Sequence, residues 1–318
     1  MGSESTNRTE PKRDPGITGE LIEFWRSLPD KWLFGVLALA WVGLFHFLGN
    51  STFGYLDTPS LFKWLGYAYR NEREDALGPL IPYVVLGLLV VKRKELIPLE
   101  KGLWWPAIGL VVLGLLCHVV GYLVQQARVS VIAFFVGLYG LTGLVWGRAW
   151  LRATFFPYLL FAFCFPLGTL ADRITFPLRM LVSKISVGFA DGLGIEVVRV
   201  GTMIMGVDGF NYDVAEACSG IRSLMALLAL TTVFSFLSFQ TGWKRALMIA
   251  MAFPLAVVGN VARITGVIIV AQAFGQDAGT RFHDYAGFIT FLVALGCILV
   301  LARFLRESRP DPILGVTL

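Results

Sequence analysis

Apolar residues are gathered along this chain into eight long windows, at about 32–50, 76–91, 103–125, 129–147, 153–170, 218–240, 247–274 and 285–301. A helix rises about 1.5 Å per residue, so about 20 residues cross the roughly 30 Å hydrocarbon core of a bilayer. The pattern predicts an all-α polytopic membrane protein with about eight transmembrane helices. Two windows strain that reading: the second is short and carries Pro79 and Pro82, and the seventh is too long for one straight crossing.

Between the fifth and sixth windows the pattern changes. Ile174, Leu178, Leu181, Ile185 and Phe189 recur at helical spacing, while Asp172, Thr175, Arg179, Ser183 and Ser186 take largely another face. That predicts an amphipathic helix lying in the membrane interface. After Gly192-Leu193-Gly194, a run rich in β-branched and aromatic residues surrounds the turn sequence Gly206-Val207-Asp208-Gly209. The expected element is a β-hairpin of about 197–205 against 210–214. Its second strand leads to Cys218, and its edge could accept an extended peptide.

Composition agrees with the windows, because 56% of the 318 residues are hydrophobic and only 15% charged. The net charge of +5 raises the question of a nucleic-acid partner, and its placement argues for orientation instead. With the N-terminus inside, the stretches 1–31, 92–102, 148–152, 241–246 and 302–318 hold 16 of the 27 Lys and Arg residues, whereas the outer stretches hold 9 basic against 12 acidic. Both termini are therefore expected in the cytoplasm and residues 171–217 outside. The implied organisation is a cytoplasmic N-terminal segment (1–31) without a cleavable signal, one membrane domain (32–301) that includes the outer helix and hairpin (171–217), and a cytoplasmic tail (302–318) with no soluble domain appended.

Cys117, Cys164, Cys218 and Cys297 lie singly, without a CxxC or a Cys/His metal spacing. No metal and no cofactor are expected. Cys218 stands apart because it sits in VAEACSGIRS (214–223), at the threshold of the sixth window. Near the first turn of a helix, open backbone N–H groups and the helix dipole favour a thiolate. Gly220 would let a substrate approach, and Ser219 would help satisfy the open helix end.

Arg263 interrupts the apolar run FPLAVVGNVARITGVIIVA. An arginine is costly in lipid, so it should face the bundle interior, a polar cavity or the interface, with snorkelling or a structural ion pair as the bland alternative. Nineteen residues separate it from Lys244, about 28 Å of helix, which brings it to the outer boundary. Gly259 and Asn260 would permit a bend there, leaving 264–274 shallow or dipping back. His283, in GQDAGTRFHDYAGF just before the eighth window, lies on the same side. An imidazole can take a thiol proton and later protonate a leaving amine, and a guanidinium can neutralise an oxyanion or position a peptide carbonyl. Glu216 could orient His283 or pair with Arg222 or Arg263. His118 follows Cys117 directly and so points about 100° away from it on a helix, and His46 has no partner motif; both fall in the outer halves of their windows and could line the same cavity.

EACSGIRS (216–223), GNVARI (259–264) and HDYAGF (283–288), in that order and each beside an apolar segment, make this chain resemble the exosortase/archaeosortase family of polytopic cysteine transpeptidases. The resemblance implies catalytic roles for Cys218, Arg263 and His283, with Glu216, Ser219, Gly220, Arg222 and Asn260 as supporting candidates. It implies substrates that are exported proteins ending in a short motif, a transmembrane helix and a basic cluster, as in PEP-CTERM signals. The cysteine would form a thioester, the helical tail would leave, and an acceptor would take the protein, in systems that accompany exopolysaccharide functions. The implied place is the inner (plasma) membrane, with membrane lipid around the site and chemistry on its outer, periplasmic face.

Three other readings fit parts of the pattern. A transporter of an anionic solute would use Arg263 at a broken helix and gives Cys218 no role. A membrane acyltransferase would depend on His283 and little on Cys218. A protease would hydrolyse the thioester instead of transferring it.

Overall fold

In the computed structural model, residues 16–51, 56–72, 75–206, 211–213 and 221–307 are described, and they are mostly helical. Helices α1 (Gly16–Arg26), α2 (Lys31–Phe47), α3 (Leu61–Asn71), α4 (Ile81–Val91) and the short α5 (Arg93–Leu96) precede a long pair, α6 (Ile108–Leu123) and α7 (Ala127–Leu159). Then come α8 (Thr169–Gly192), three short strands, and α9 (Ile221–Ser238), α10 (Gly242–Phe274) and α11 (Gln276–Phe304).

Four helical stretches among the described residues are long and apolar enough to cross a membrane, and five if α1 and α2, bent by 84°, count as one broken span. Eight separate crossings are thus not confirmed. Among the described residues the window at 76–91 forms an apolar helix shorter than a span, Gly78–Val91, and the described part of the window at 218–240 is the apolar stretch Ser223–Ser238. The reason in the first is local: Pro79 and Pro82 stand at its start, where a missing N–H is tolerated, and fix where the helix can begin.

The windows 129–147 and 153–170 form one helical stretch of 38 residues, Ala127–Cys164, folded back on itself at Gly147. Phe135 and Phe161 would lie about 39 Å apart on a straight helix. Their rings stack at 4.4 Å, and those of Tyr139 and Tyr158 lie 4.8 Å apart. Gly147 has φ 91° and ψ 176°, a conformation open to glycine and strained for other residues.

That reversal defines two ends of the bundle. Toward Gly147, Leu28, Leu96, Val145, Trp146 and Trp150 share a core, and the Trp146 indole donates to the Pro29 carbonyl at 3.1 Å. Glu20 joins it by pairing with Lys94 at 2.9 Å and with Arg93, and these cations hold its carboxyl below the usual range. At the other end the Tyr69 hydroxyl donates to the Cys164 carbonyl at 2.6 Å and Arg128 Nε to the Pro166 carbonyl at 2.8 Å. There the buried Asp75 carboxylate accepts from the backbone N–H of Leu167 (2.8 Å) and Gly168 (3.1 Å), holding the turn from which α8 departs. Asp75→Ala strands two buried donors, and the expected cost is about 3 kcal/mol, to be read as a lower unfolding temperature in detergent.

α8 packs on the distal half of α10, with Val182, Ala190, Val197, Ile204, Val261, Ile264 and Ile268 in one core. The tip between α10 and α11 lies at one end of that helix pair, and 240–245 and 302–307 lie at the other. At that end Glu307 accepts from Gln240 N–H (2.9 Å) and Thr241 N–H (3.1 Å) with Lys244 at 3.7 Å. Hydrogen bonds from the Thr241 side chain, then from these N–H groups, lower its carboxyl from 4.5 to about 2. A depressed carboxyl contributes stability above its ordinary value and loses it as pH falls through the folded value. Acid unfolding of Glu307→Gln should therefore show a smaller stability loss than wild type as pH falls from 4.5 toward about 2.

Two sequence expectations change here, and that for α8 gains detail. The 264–274 stretch neither bends at Gly259 and Asn260 nor dips back, because α10 runs unbroken from Gly242 to Phe274 and its apolar far half is covered by α8 and the sheet. α8 is amphipathic with its small hydroxyl face inward: Thr175, Ser183 and Ser186 are at most 1% exposed, while Phe176, Leu181, Phe189 and Leu193 are exposed. Small side chains let it sit close on its neighbours, as small residues do between membrane helices. The hairpin is a three-stranded antiparallel meander of β1 (Val197–Val200), β2 (Met203–Gly206) and β3 (Asn211–Asp213), with Arg199 opposite Ile204 and Ile204 opposite Tyr212. The extra turn is Gly201-Thr202, where Gly201 has φ +66°, as a two-residue turn led by glycine requires. The expected turn at 206–209 lies largely outside the described residues.

Candidate active site

α10 and α11 form an antiparallel hairpin about Gly275, whose φ of 89° allows a reversal with almost no loop. Small residues set how closely the arms approach. A Cβ on Gly266 would meet the Phe282 ring at 2.8 Å, and one on Gly279 would meet the Ala271 Cβ at 2.6 Å. This register places GNVARI beside HDYAGF. Residues 20 apart in sequence become neighbours.

Arg263 Nη2 lies 3.0 Å from His283 Nε2 and 3.4 Å from the His283 carbonyl oxygen. A guanidinium can only donate, so Nε2 accepts and the neutral ring carries its proton on Nδ1. Gly287, one turn beyond His283, leaves room for the guanidinium: a Cβ there would come within 3.0 Å of the Arg263 guanidinium carbon. Arg263 Nε is buried and has no partner among the described residues. The arginine is thus fixed by its forked end and by the shape of α11, half-buried between two helices.

On the bundle side of this pair is a narrow crevice of about 20 Å³. Ser223 of α9, Asn260 and Arg263 of α10 and Thr290 of α11 form its polar wall, and Leu227, Leu255 and Phe291 close it with apolar groups. The Thr290 hydroxyl donates to the Ala286 carbonyl at 2.8 Å, which fixes its rotamer.

Of the sequence candidates, the structure brings Arg263, His283 and Asn260 together. Glu216, Cys218, Ser219 and Gly220 lie outside the described residues; Arg222 lies in the first turn of α9, and its side chain is likewise outside them. His118 and His46 have other work: His118 Nδ1 is 3.0 Å from the Ser130 hydroxyl, buried beside Phe45, and His46 Nδ1 is 3.2 Å from the Ser60 hydroxyl that caps α3. No group of His, Cys, Asp or Glu among the described residues is arranged to hold a metal ion. Sequence reasoning missed Gly287, Ser223 and Thr290 as parts of this site. The sequence carried no separate signal for them, because the glycine spacing acquires meaning only once α10 and α11 are known to be antiparallel.

Fold and site together define a multi-pass membrane protein with a guanidinium and an imidazole joined inside a helical hairpin. The chain matches the transmembrane exosortase family over residues 69–300 and belongs to it. No curated protein and no solved structure matches the chain.

Proposed function

We propose that this chain is a membrane cysteine transpeptidase that cuts the C-terminal sorting signal of exported proteins and passes them to an acceptor through a thioester on Cys218. The observation that carries the reading is the contact between Arg263 and His283, two residue types suited to acyl transfer, brought together from separate motifs. Family membership supports the general role, and the placement of Lys and Arg along the sequence supports a site on the outer face of the inner membrane.

The contact suggests an order of events. In the resting pair the Nε2 lone pair is occupied by a guanidinium N–H, so Nε2 takes the thiol proton only as that hydrogen bond opens. Opening it frees the guanidinium fork for the substrate. The Cys218 sulfur attacks the carbonyl carbon, the carbonyl electron pair becomes an oxyanion, and Arg263 neutralises it. As the oxyanion collapses, the C–N bond breaks and the imidazolium gives its proton to the leaving amine nitrogen. The acceptor then attacks the thioester, His283 takes its proton, and the thiolate leaves. Substrates carrying their own transmembrane helix would meet the site by diffusing in the bilayer.

The direct test is chemical. Membranes containing wild-type chain and a tagged exported protein with such a tail should yield a covalent adduct released by hydroxylamine; a stable lack of adduct alongside continued processing would remove the thioester from the reading. Gly287→Val pushes methyl groups into the guanidinium and should slow processing by roughly 10- to 100-fold with unchanged protein level, since misplacement of a catalytic group by about 1 Å can cost that much.

A further inference from the structure

The crevice beside Arg263 is a space among the described helices that a substrate residue at the reacting carbonyl would face. About 20 Å³ is room for roughly one water-sized group, which is also the size of a methyl. Its small residues are Ala256 and Gly259 on α10 and Ala294 on α11, and the larger Leu227, Leu255 and Phe291 stop it from extending into the bundle. Leu227 and Ala294 belong to the buried core of α9, α10 and α11, so the far wall is packed and does not yield easily. The near wall is polar through Ser223, Asn260 and Thr290.

We infer that this crevice receives the side chain of the substrate residue next to the bond that is cut, and restricts that residue to glycine, alanine or serine. The inference rests on the reading of Arg263 as the group that meets the substrate carbonyl. A methyl or hydroxymethyl fits the space; the branched groups of valine and leucine add two or more carbons that have nowhere to go. One excluded methylene is worth about tenfold or more in discrimination. Leu255 and Phe291 set the depth, so shortening either enlarges the pocket without touching the polar wall.

The test uses the full chain in membranes with a tagged exported protein ending in a motif, a transmembrane helix and a basic cluster. Mass spectrometry of the released product fixes the cut, and the flanking residues are then changed one at a time to Gly, Ala, Ser, Val and Leu. One position should tolerate the first three and lose at least about tenfold with Val or Leu. Phe291→Ala should shrink that penalty at this position and at no other, and Leu255→Ala serves as the second enlarging variant. Gly259→Val should extend the penalty to alanine while glycine is still accepted. Equal tolerance of all five residues at every position, or a penalty unmoved by either enlarging variant, overturns the inference and leaves the crevice as a water site. If wild-type chain cuts no such substrate, the proposed function itself falls and takes this inference with it.

Discussion

Membranes carrying Cys218→Ala are expected to leave the tagged precursor at full length, with processing slowed by at least about 10³-fold. A nucleophile that forms the covalent intermediate has no partial substitute: removing it costs nearly as much as removing the whole catalytic set, and only binding and charge stabilisation persist. The control matters as much as the variant. Cys164 is a poor one, because it is 2% exposed, shares a core with Ile81, Val85 and Phe156, and directs its thiol to the Gly78 carbonyl, so its loss mixes folding with chemistry. Cys297 is exposed on α11, and Cys297→Ala should process at the wild-type rate. Unchanged processing by Cys218→Ala would return the molecule to the acyltransferase or transporter reading, and loss of activity in His283→Ala would then favour the former.

The second large effect is expected from Arg263→Lys, a drop of roughly 10²- to 10³-fold in turnover with little change in the substrate concentration needed. The substitution keeps the charge and discards the fork. A guanidinium presents five donors in fixed geometry and can bond Nε2 and the His283 carbonyl from one nitrogen while others face the substrate, whereas an ammonium is a single flexible point charge. Losing one donor aimed at an oxyanion costs about that factor in turnover. Should the lysine variant turn over at the wild-type rate, Arg263 acts by charge alone and the geometry with His283 has no catalytic part. His283→Gln offers a second view, since glutamine can still accept from Arg263 and cannot carry a proton.

How far the sequence could be read varies element by element, and the reasons are physical. Arg263 and His283 were legible because an arginine in an apolar run has few tolerable places, and the order of motifs around it narrowed them. Their contact was not, since it depends on the tight reversal at Gly275 and on glycines at 266, 279 and 287, whose spacing means nothing until the two arms are known to be antiparallel. Amphipathicity of α8 was legible, but which face turns inward depends on what it meets, and here small hydroxyl side chains pack beside Val182 and Ala190 while Phe176, Leu181 and Phe189 face out. Hydropathy found the apolar segments, the break at Gly147 between the windows 129–147 and 153–170 and the short window with Pro79 and Pro82, but it registers composition and does not say which segments are long enough as helices to cross. Asp75 gave no signal at all: its importance lies in two backbone N–H groups more than 90 positions away.

The fold-back at Gly147 also bears on how the protein is made. With Gly147 as its turn, the 127–164 stretch has only Arg148 and Arg152 to mark the reversal before its second arm continues. Rings such as Phe135 and Phe161 pair only when both arms are present, so the ribosome must release about 38 residues before the two arms can meet. Completion of this region therefore waits for both arms, and a premature stop between them leaves the first, packed on α2 and α6, without the rings of the second.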